Sequence, residues 1–133
     1  MNETIGRKIL VVDDDANLCD LVRRFLEHQG FSVLTATDGP TAIQLVASQG
    51  PNLALVVLDM IMPGMDGEHV LQAMRTLQPD LPCLFISGCS NANIITRMLQ
   101  KGCCEFLAKP FSADAMLTKV AGLLQQYPRK SQP

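Results

Sequence analysis

Leu53-Ala54-Leu55-Val56-Val57-Leu58-Asp59 is an unbroken apolar run that ends in a carboxylate. It shows no polar alternation, so it does not read as a strand with one solvated face. It reads as a central parallel strand covered on both sides. The run has a strand's length, and no stretch of the chain approaches the roughly 20 apolar residues a membrane helix requires. On the N-terminal side, Phe31 to Ala36 is a shorter and more polar run, as expected of an edge strand, and Lys8 to Val12 (KILVV) is the first strand of the chain. On the C-terminal side, Cys83 to Ile86 and Glu105 to Ala108 complete a set of five.

Helical periodicity fills the gaps between these runs. Leu18, Leu21, Val22, Phe25 and Leu26 recur at helical spacing and predict a first helix, stopped at Gly30. Gly39-Pro40 opens a second helix with Ala42, Ile43, Leu45 and Val46 inward, closed by Gly50-Pro51. Val70, Met74 and Leu77 mark a third, after the loop Met62-Pro63-Gly64-Met65-Asp66-Gly67. Ile94, Ile95, Met98 and Leu99 mark a fourth, stopped at Gly102. A fifth starts behind Ser112 as N-cap, carries Met116, Leu117, Val120 and Leu124, and ends at Tyr127-Pro128. Five βα units with right-handed crossovers make an α/β open parallel sheet between two layers of helices. Residues 1–133 read as one domain, with a core over about 8–127 and 128–133 as a frayed tail or linker start.

Composition agrees. The chain has 133 residues, 47% hydrophobic and 18% charged, with a formal charge of −2; mean hydropathy is +0.17 and the pI about 5.6. That is too apolar for a disordered chain and carries no basic field to collect nucleic acid or anionic lipid. No direct nucleic-acid or membrane partner is expected. Met1 to Arg7 lack an apolar h-region, so a signal peptide is not expected either. The five cysteines (Cys19, Cys83, Cys89, Cys103, Cys104) are odd in number and in no metal-ligand spacing. Vicinal Cys103-Cys104 would strain a disulfide framework. The cysteines read as small apolar residues in a reducing cytoplasm.

Open parallel sheets collect function beyond the carboxyl ends of their strands. There, strand one delivers Asp13, Asp14 and Asp15, strand three Asp59, strand four Ser87 and strand five Lys109, while strand two offers nothing ionisable until Asp38. Asp15 is expected to cap the next helix. The other carboxylates repel one another: two charges ~4 Å apart cost about 4 kcal/mol at an effective dielectric near 20. A divalent cation and an ammonium group relieve that repulsion, and hard oxygen ligands favour Mg²⁺ or Mn²⁺ over zinc. An Asp beside such a cation and Lys109 is well placed to attack a phosphoryl group.

These motifs, Val11-Val12-Asp13-Asp14-Asp15, Leu58-Asp59-Met60-Ile61-Met62-Pro63-Gly64-Met65-Asp66-Gly67, Phe85-Ile86-Ser87-Gly88 and Phe106-Leu107-Ala108-Lys109-Pro110-Phe111, resemble the receiver domain of two-component response regulators. The resemblance runs from about Lys8 to Tyr127. It implies a (βα)5 flavodoxin-like fold with strand order 2-1-3-4-5. It further implies that Asp59 is the phosphoacceptor and that Asp14 and Asp59 ligate Mg²⁺ through their carboxylates, Asp13 through water and Ile61 through its backbone carbonyl. Lys109 would pair with the phosphoryl group, Ser87 would hydrogen-bond it, and Phe106 would move inward with Ser87. A cis bond before Pro110 would fix the direction of Lys109.

The implied partners are a histidine kinase or phosphotransfer protein, touching the first helix near Leu18 and the Pro110-Phe111 loop, and a downstream effector or output domain. That output would be met by the surface of helix four, strand five and helix five. A phosphorylation-linked dimer is compatible with the same reading. The chain departs from the pattern in having Phe106 rather than Tyr at the switch aromatic. Apolar Ile61 and Cys89 also stand two residues beyond the acceptor and the switch serine, where neither positions water. A long-lived aspartyl phosphate is expected from the shielding by Ile61. His28 and His69 read as ordinary surface residues, and Met60, Met62 and Met65 as adaptable packing.

Two rivals differ in class. A haloacid-dehalogenase-like phosphohydrolase would use Asp13 as nucleophile in Asp13-x-Asp15, but Asn17 stands where that motif wants Thr or Val. A flavin- or nucleotide-binding protein would want a Ser/Thr/Gly-rich phosphate loop after strand one, and this loop is triply acidic.

Overall fold

The computed structural model describes residues 8–62, 64–88 and 91–129. β1 (Lys8–Val12), β2 (Ser32–Ala36), β3 (Leu53–Asp59), β4 (Cys83–Ser87) and β5 (Cys104–Ala108) pair in parallel in the order β2-β1-β3-β4-β5. This is the flavodoxin-like arrangement. The apolar run of β3 lies at the centre with every residue buried, and the polar β2 lies at an edge. Between them, α1 (Ala16–His28), α2 (Gly39–Gln49), α3 (Gly67–Leu77), α4 (Ala92–Gln100) and α5 (Ala113–Gln126) cover the two faces.

Side-chain alternation along the strands produces the two cores. Leu10, Val12, Val56, Leu58 and Phe85 pack with Val46, Met74 and Met98 under α2, α3 and α4. Ile9, Val11, Leu55, Val57 and Leu84 pack with Val22, Leu26, Met116 and Val120 under α1 and α5. At about 25 cal/mol per Å² of apolar surface removed from water, both layers are needed to cover a sheet that is apolar on each side. Among the described residues no helix is long and apolar enough to cross a membrane.

Several local expectations need correction. Leu21, Leu77 and Leu99 are 45%, 43% and 42% exposed. In α1 the core contacts pass instead to Cys19, Val22 and Leu26, which leaves Leu21 on the shoulder of the helix. Leu77 is the last residue of α3. In α4 only Met98 is buried, while Ile94 and Ile95 are partly buried against the core and line a cavity with Phe85 and Phe106. In α5, Leu123 rather than Leu124 continues the buried stripe after Met116 and Val120. The loop after β3 contains a two-residue antiparallel pairing, Ile61–Met62 with Met65–Asp66. Within the presumed tail, Arg129 is held by Gln78, its Nη2 donating to Oε1 at 2.6 Å. Cys89 lies outside the described residues.

Candidate functional site

The strand ends converge as the topology requires. Asp13 follows β1 and is 1% exposed; Asp59 ends β3 and is 4% exposed; Asp14 beside them is exposed. One carboxylate oxygen from each of the three lies within 4.8 Å of the others. Lys109, just after β5, reaches across to both buried acids, with Nζ donating to Asp13 Oδ2 at 3.1 Å and to Asp59 Oδ2 at 3.4 Å. Its backbone is anchored by Lys109 N donating to Ser87 O at 2.9 Å, and the Lys109–Pro110 bond is cis, as the sequence resemblance implied.

Local hydrogen bonds hold each acid. Asp13 Oδ1 accepts from Asp15 N at 2.9 Å, and Asp59 Oδ1 accepts from Ile61 N at 3.2 Å. Asp15 is the helix cap expected of it, its Oδ1 accepting from Asn17 N and Leu18 N. Asp66, in the loop that follows Asp59, serves as cap of α3, accepting from His69 N at 2.9 Å. His69 Nδ1 turns back to Asp66 Oδ2 on the exposed surface. Met60 and Met62 are buried in the core as packing.

The electrostatics follow from burial. Removal from water pushes the Asp59 carboxyl up from its ordinary value and Asp13 adds to this; the Ile61 amide and Lys109 pull it partly back. Burial by itself would lower the Lys109 ammonium, but Asp13 and Asp59 outweigh it, and its pKa is raised. One ammonium thus faces two buried acids and an exposed third. The negative charge left over, on hard oxygen donors, is what a Mg²⁺-sized cation neutralises, and the donor set fits that ion.

Ser87, 7% exposed, ends β4 above Phe85, and the rings of Phe85 and Phe106 lie 5.3 Å apart between centroids. Ser87 and Phe106 border a cavity of about 150 Å³ that extends under α4 to Ile94 and Ile95, and Ile61 stands at its rim, 64% exposed. On the other side of Lys109, Leu18 and Leu21 form a surface hollow with Pro110 and Phe111.

Two supports were not foreseen from the sequence. A Cβ on Gly67 would lie 2.8 Å from Asp59 O and from Met60 Cα. Only glycine lets α3 start against the Asp59 backbone, where Gly67 N donates to Met60 O at 2.8 Å. The Asp-Gly pair before a helix was the available signal. Cys19, read as filler, donates its thiol to Asp13 O at 3.3 Å, and burial pushes that thiol up to about 11.

Comparison with known proteins points one way. A family model described as the response regulator receiver domain matches residues 9–121. Response regulator MprA of Mycolicibacterium vanbaalenii is 37% identical over 119 residues, covering 90% of this chain and 51% of that protein. The chain thus spans about half the length of the curated relatives it matches. The receiver domain of a putative LuxO repressor protein from Vibrio parahaemolyticus superposes with a TM-score of 0.82 at 26% identity, over 91% of this chain and 92% of that one. The receiver domain of the hybrid histidine kinase CckA gives 0.77 at 30% identity, over 89% and 99%.

Proposed function

The chain belongs to the receiver-domain family of two-component response regulators, and from that membership we propose that Asp59 is its phosphoacceptor. The observation that carries the proposal is the pairing of Asp59 Oδ2 with Lys109 at 3.4 Å, in a nearly buried pocket shared with Asp13 and Asp14. An Asp59 oxygen forms a bond to phosphorus as the bond to the donor's leaving group breaks, a phosphohistidine nitrogen or the acyl oxygen of a small phosphodonor. Lys109, released from part of its pairing to Asp59, meets the oxyanions of the transferred group. Asp13, Asp14, Asp59 and the Ile61 carbonyl would hold Mg²⁺, or Mn²⁺ in its place. When bound, the cation supplies neutralisation of the phosphoryl oxygens and so lets two like charges approach.

Ser87 donates its hydroxyl to a phosphoryl oxygen, and Phe106 turns into the cavity beside it. The surface of α4, β5 and α5 changes with that turn, and with it the affinity for an effector or output domain. The donor, a histidine kinase or phosphotransfer protein in the cytoplasm, docks over the hollow of Leu18, Leu21, Pro110 and Phe111, which opens beside Lys109. Apolar Ile61 at the rim shields the aspartyl phosphate from water, so Ile61→Asn shortens its lifetime. Both acids have both oxygens engaged, Asp13 by Asp15 N and Lys109 and Asp59 by Ile61 N and Lys109, so it is the receiver-family match that favours Asp59 over an Asp13 nucleophile.

The test is labelling by acetyl phosphate with Mg²⁺, read by intact mass. One phosphoryl group is expected on wild type and none on Asp59→Asn. Labelling that survives in Asp59→Asn, or that disappears only with Asp13, would overturn the assignment.

A further inference from the structure

We propose that Cys83 and Cys104 are a redox pair, which hydrogen peroxide converts into a reversible disulfide tying β4 to β5 beneath the Phe85–Phe106 rings. The two residues are in register on adjacent parallel strands, so their side chains share a face. Strands lie ~4.8 Å apart, inside the roughly 4.4–6.8 Å Cα window for a disulfide. Both thiols sit in the core under α3 and α4. Phe85 and Phe106 form the next rung of the same face, and Ser87 and Ala108 the one above.

Two features suit Cys104 to be the attacking sulfur. Arg75 Nη2 donates to Cys104 Sγ at 3.5 Å, and the same guanidinium is fixed by the Leu81 carbonyl at 2.9 and 3.1 Å and the Cys103 carbonyl at 3.2 Å. The Cys83 thiol beside Cys104, with Arg75 and Lys101, draws the Cys104 thiol down from its ordinary value despite its burial, while Cys83 is pushed up. Arg75 and Lys101 also line an open surface groove, and Cys104 keeps 9% exposure. Neighbouring Cys103 is more exposed, but burial leaves its thiol above the ordinary value. Thiolate character, not exposure, then selects Cys104.

The chemistry balances in two steps. The Cys104 thiolate attacks peroxide; the O–O bond breaks, an S–O bond forms, and the departing hydroxide takes a proton to become water. The Cys83 sulfur then attacks the sulfenic sulfur; an S–S bond forms, the S–O bond breaks, and the second hydroxide leaves with the Cys83 proton as water. Two thiols have lost two electrons and two protons, and one peroxide has become two waters.

The full chain treated with hydrogen peroxide is expected to become two hydrogens lighter, to lose two titratable thiols, and to recover both in dithiothreitol. The crosslink is expected to persist in Cys89→Ser and Cys103→Ser. In Cys83→Ser it is expected to be lost, leaving a Cys104 sulfenic acid that dimedone traps. Retention of all thiols in wild type, or a crosslink that needs Cys89 or Cys103, would overturn the proposal. The wild-type mapping keeps the test decisive if a core variant folds poorly. It reads sulfur alone, so its outcome is independent of whether Asp59 accepts phosphate.

Discussion

Two of the charged clusters among the described residues are inverted in composition and opposite in behaviour. Asp13, Asp59 and Lys109 form one at the sheet edge; Glu68, Arg97 and Lys101 form the other between α3 and α4. In the second, Glu68 meets two cations, with Arg97 at 2.7 Å and Lys101 at 3.2 Å. The Arg97 hydrogen bond, followed by that from Lys101, holds the Glu68 carboxyl below its usual range. In the first, the acids are nearly inaccessible and outnumber the cation, and Asp59 is pushed up. A surplus of carboxylates where water is excluded could hold a metal; on the surface, paired charges are a strut.

The largest separation between the clusters is expected in chemistry. Lys109→Met should slow labelling by acetyl phosphate about 10²-fold, the scale for losing one electrostatic stabiliser of a developing oxyanion. Arg97→Met should leave the labelling rate as it is. A Lys109→Met rate within twofold of wild type would remove the distinction.

Next comes packing beneath Asp59. Gly67→Ala places a methyl against Asp59 O and Met60 Cα and is expected to cost ~1–3 kcal/mol in urea unfolding, as overpacking does. The same substitution at Gly122 in α5, where nothing lies within 4 Å, is expected to stabilise.

Stability without metal should then move in opposite directions at the two sites. In EDTA, Asp59→Asn is expected to stabilise, because removal from water, with Asp13 alongside, costs the Asp59 carboxylate more than the Ile61 amide and Lys109 return. Glu68→Gln is expected to destabilise, by less than about 1 kcal/mol. The pH dependence carries the same signs. Because the folded Asp59 binds its proton more tightly than the unfolded chain does, its contribution to stability rises as pH falls through its raised value. Glu68 contributes above its unfolded value, and its contribution is lost as pH falls through its lowered one. Acid titration of Tm in Asp59→Asn and Glu68→Gln against wild type checks both, and equal slopes would contradict the comparison.

The strands and the residues at their carboxyl ends were legible because periodicity is local, whereas the order of the strands came from the resemblance to receiver domains. β3 needed only its own apolar run, and Asp15 and Ser112 their positions before helices. What stayed hidden depends on pairs distant in sequence. Helical spacing placed Leu21 and Leu99 in the core, but which shoulder of a helix meets the sheet is set by how the helix lies on it. The register that puts Cys83 beside Cys104, and the approach of α3 that demands Gly67, belong to the assembled sheet. The same holds for Cys103, whose left-handed backbone at φ 54° is stabilised by its carbonyl accepting from Cys83 N and Arg75.

Titration calorimetry with Mg²⁺ tests the buried, acid-rich pocket most directly. Wild type and Glu68→Gln should each bind one ion per chain with the same affinity, and Asp14→Asn and Asp59→Asn should show no saturable binding heat in the same range. Unchanged Mg²⁺ affinity in Asp14→Asn and Asp59→Asn would contradict the account, because the cation would then be held by something other than these strand-end carboxylates.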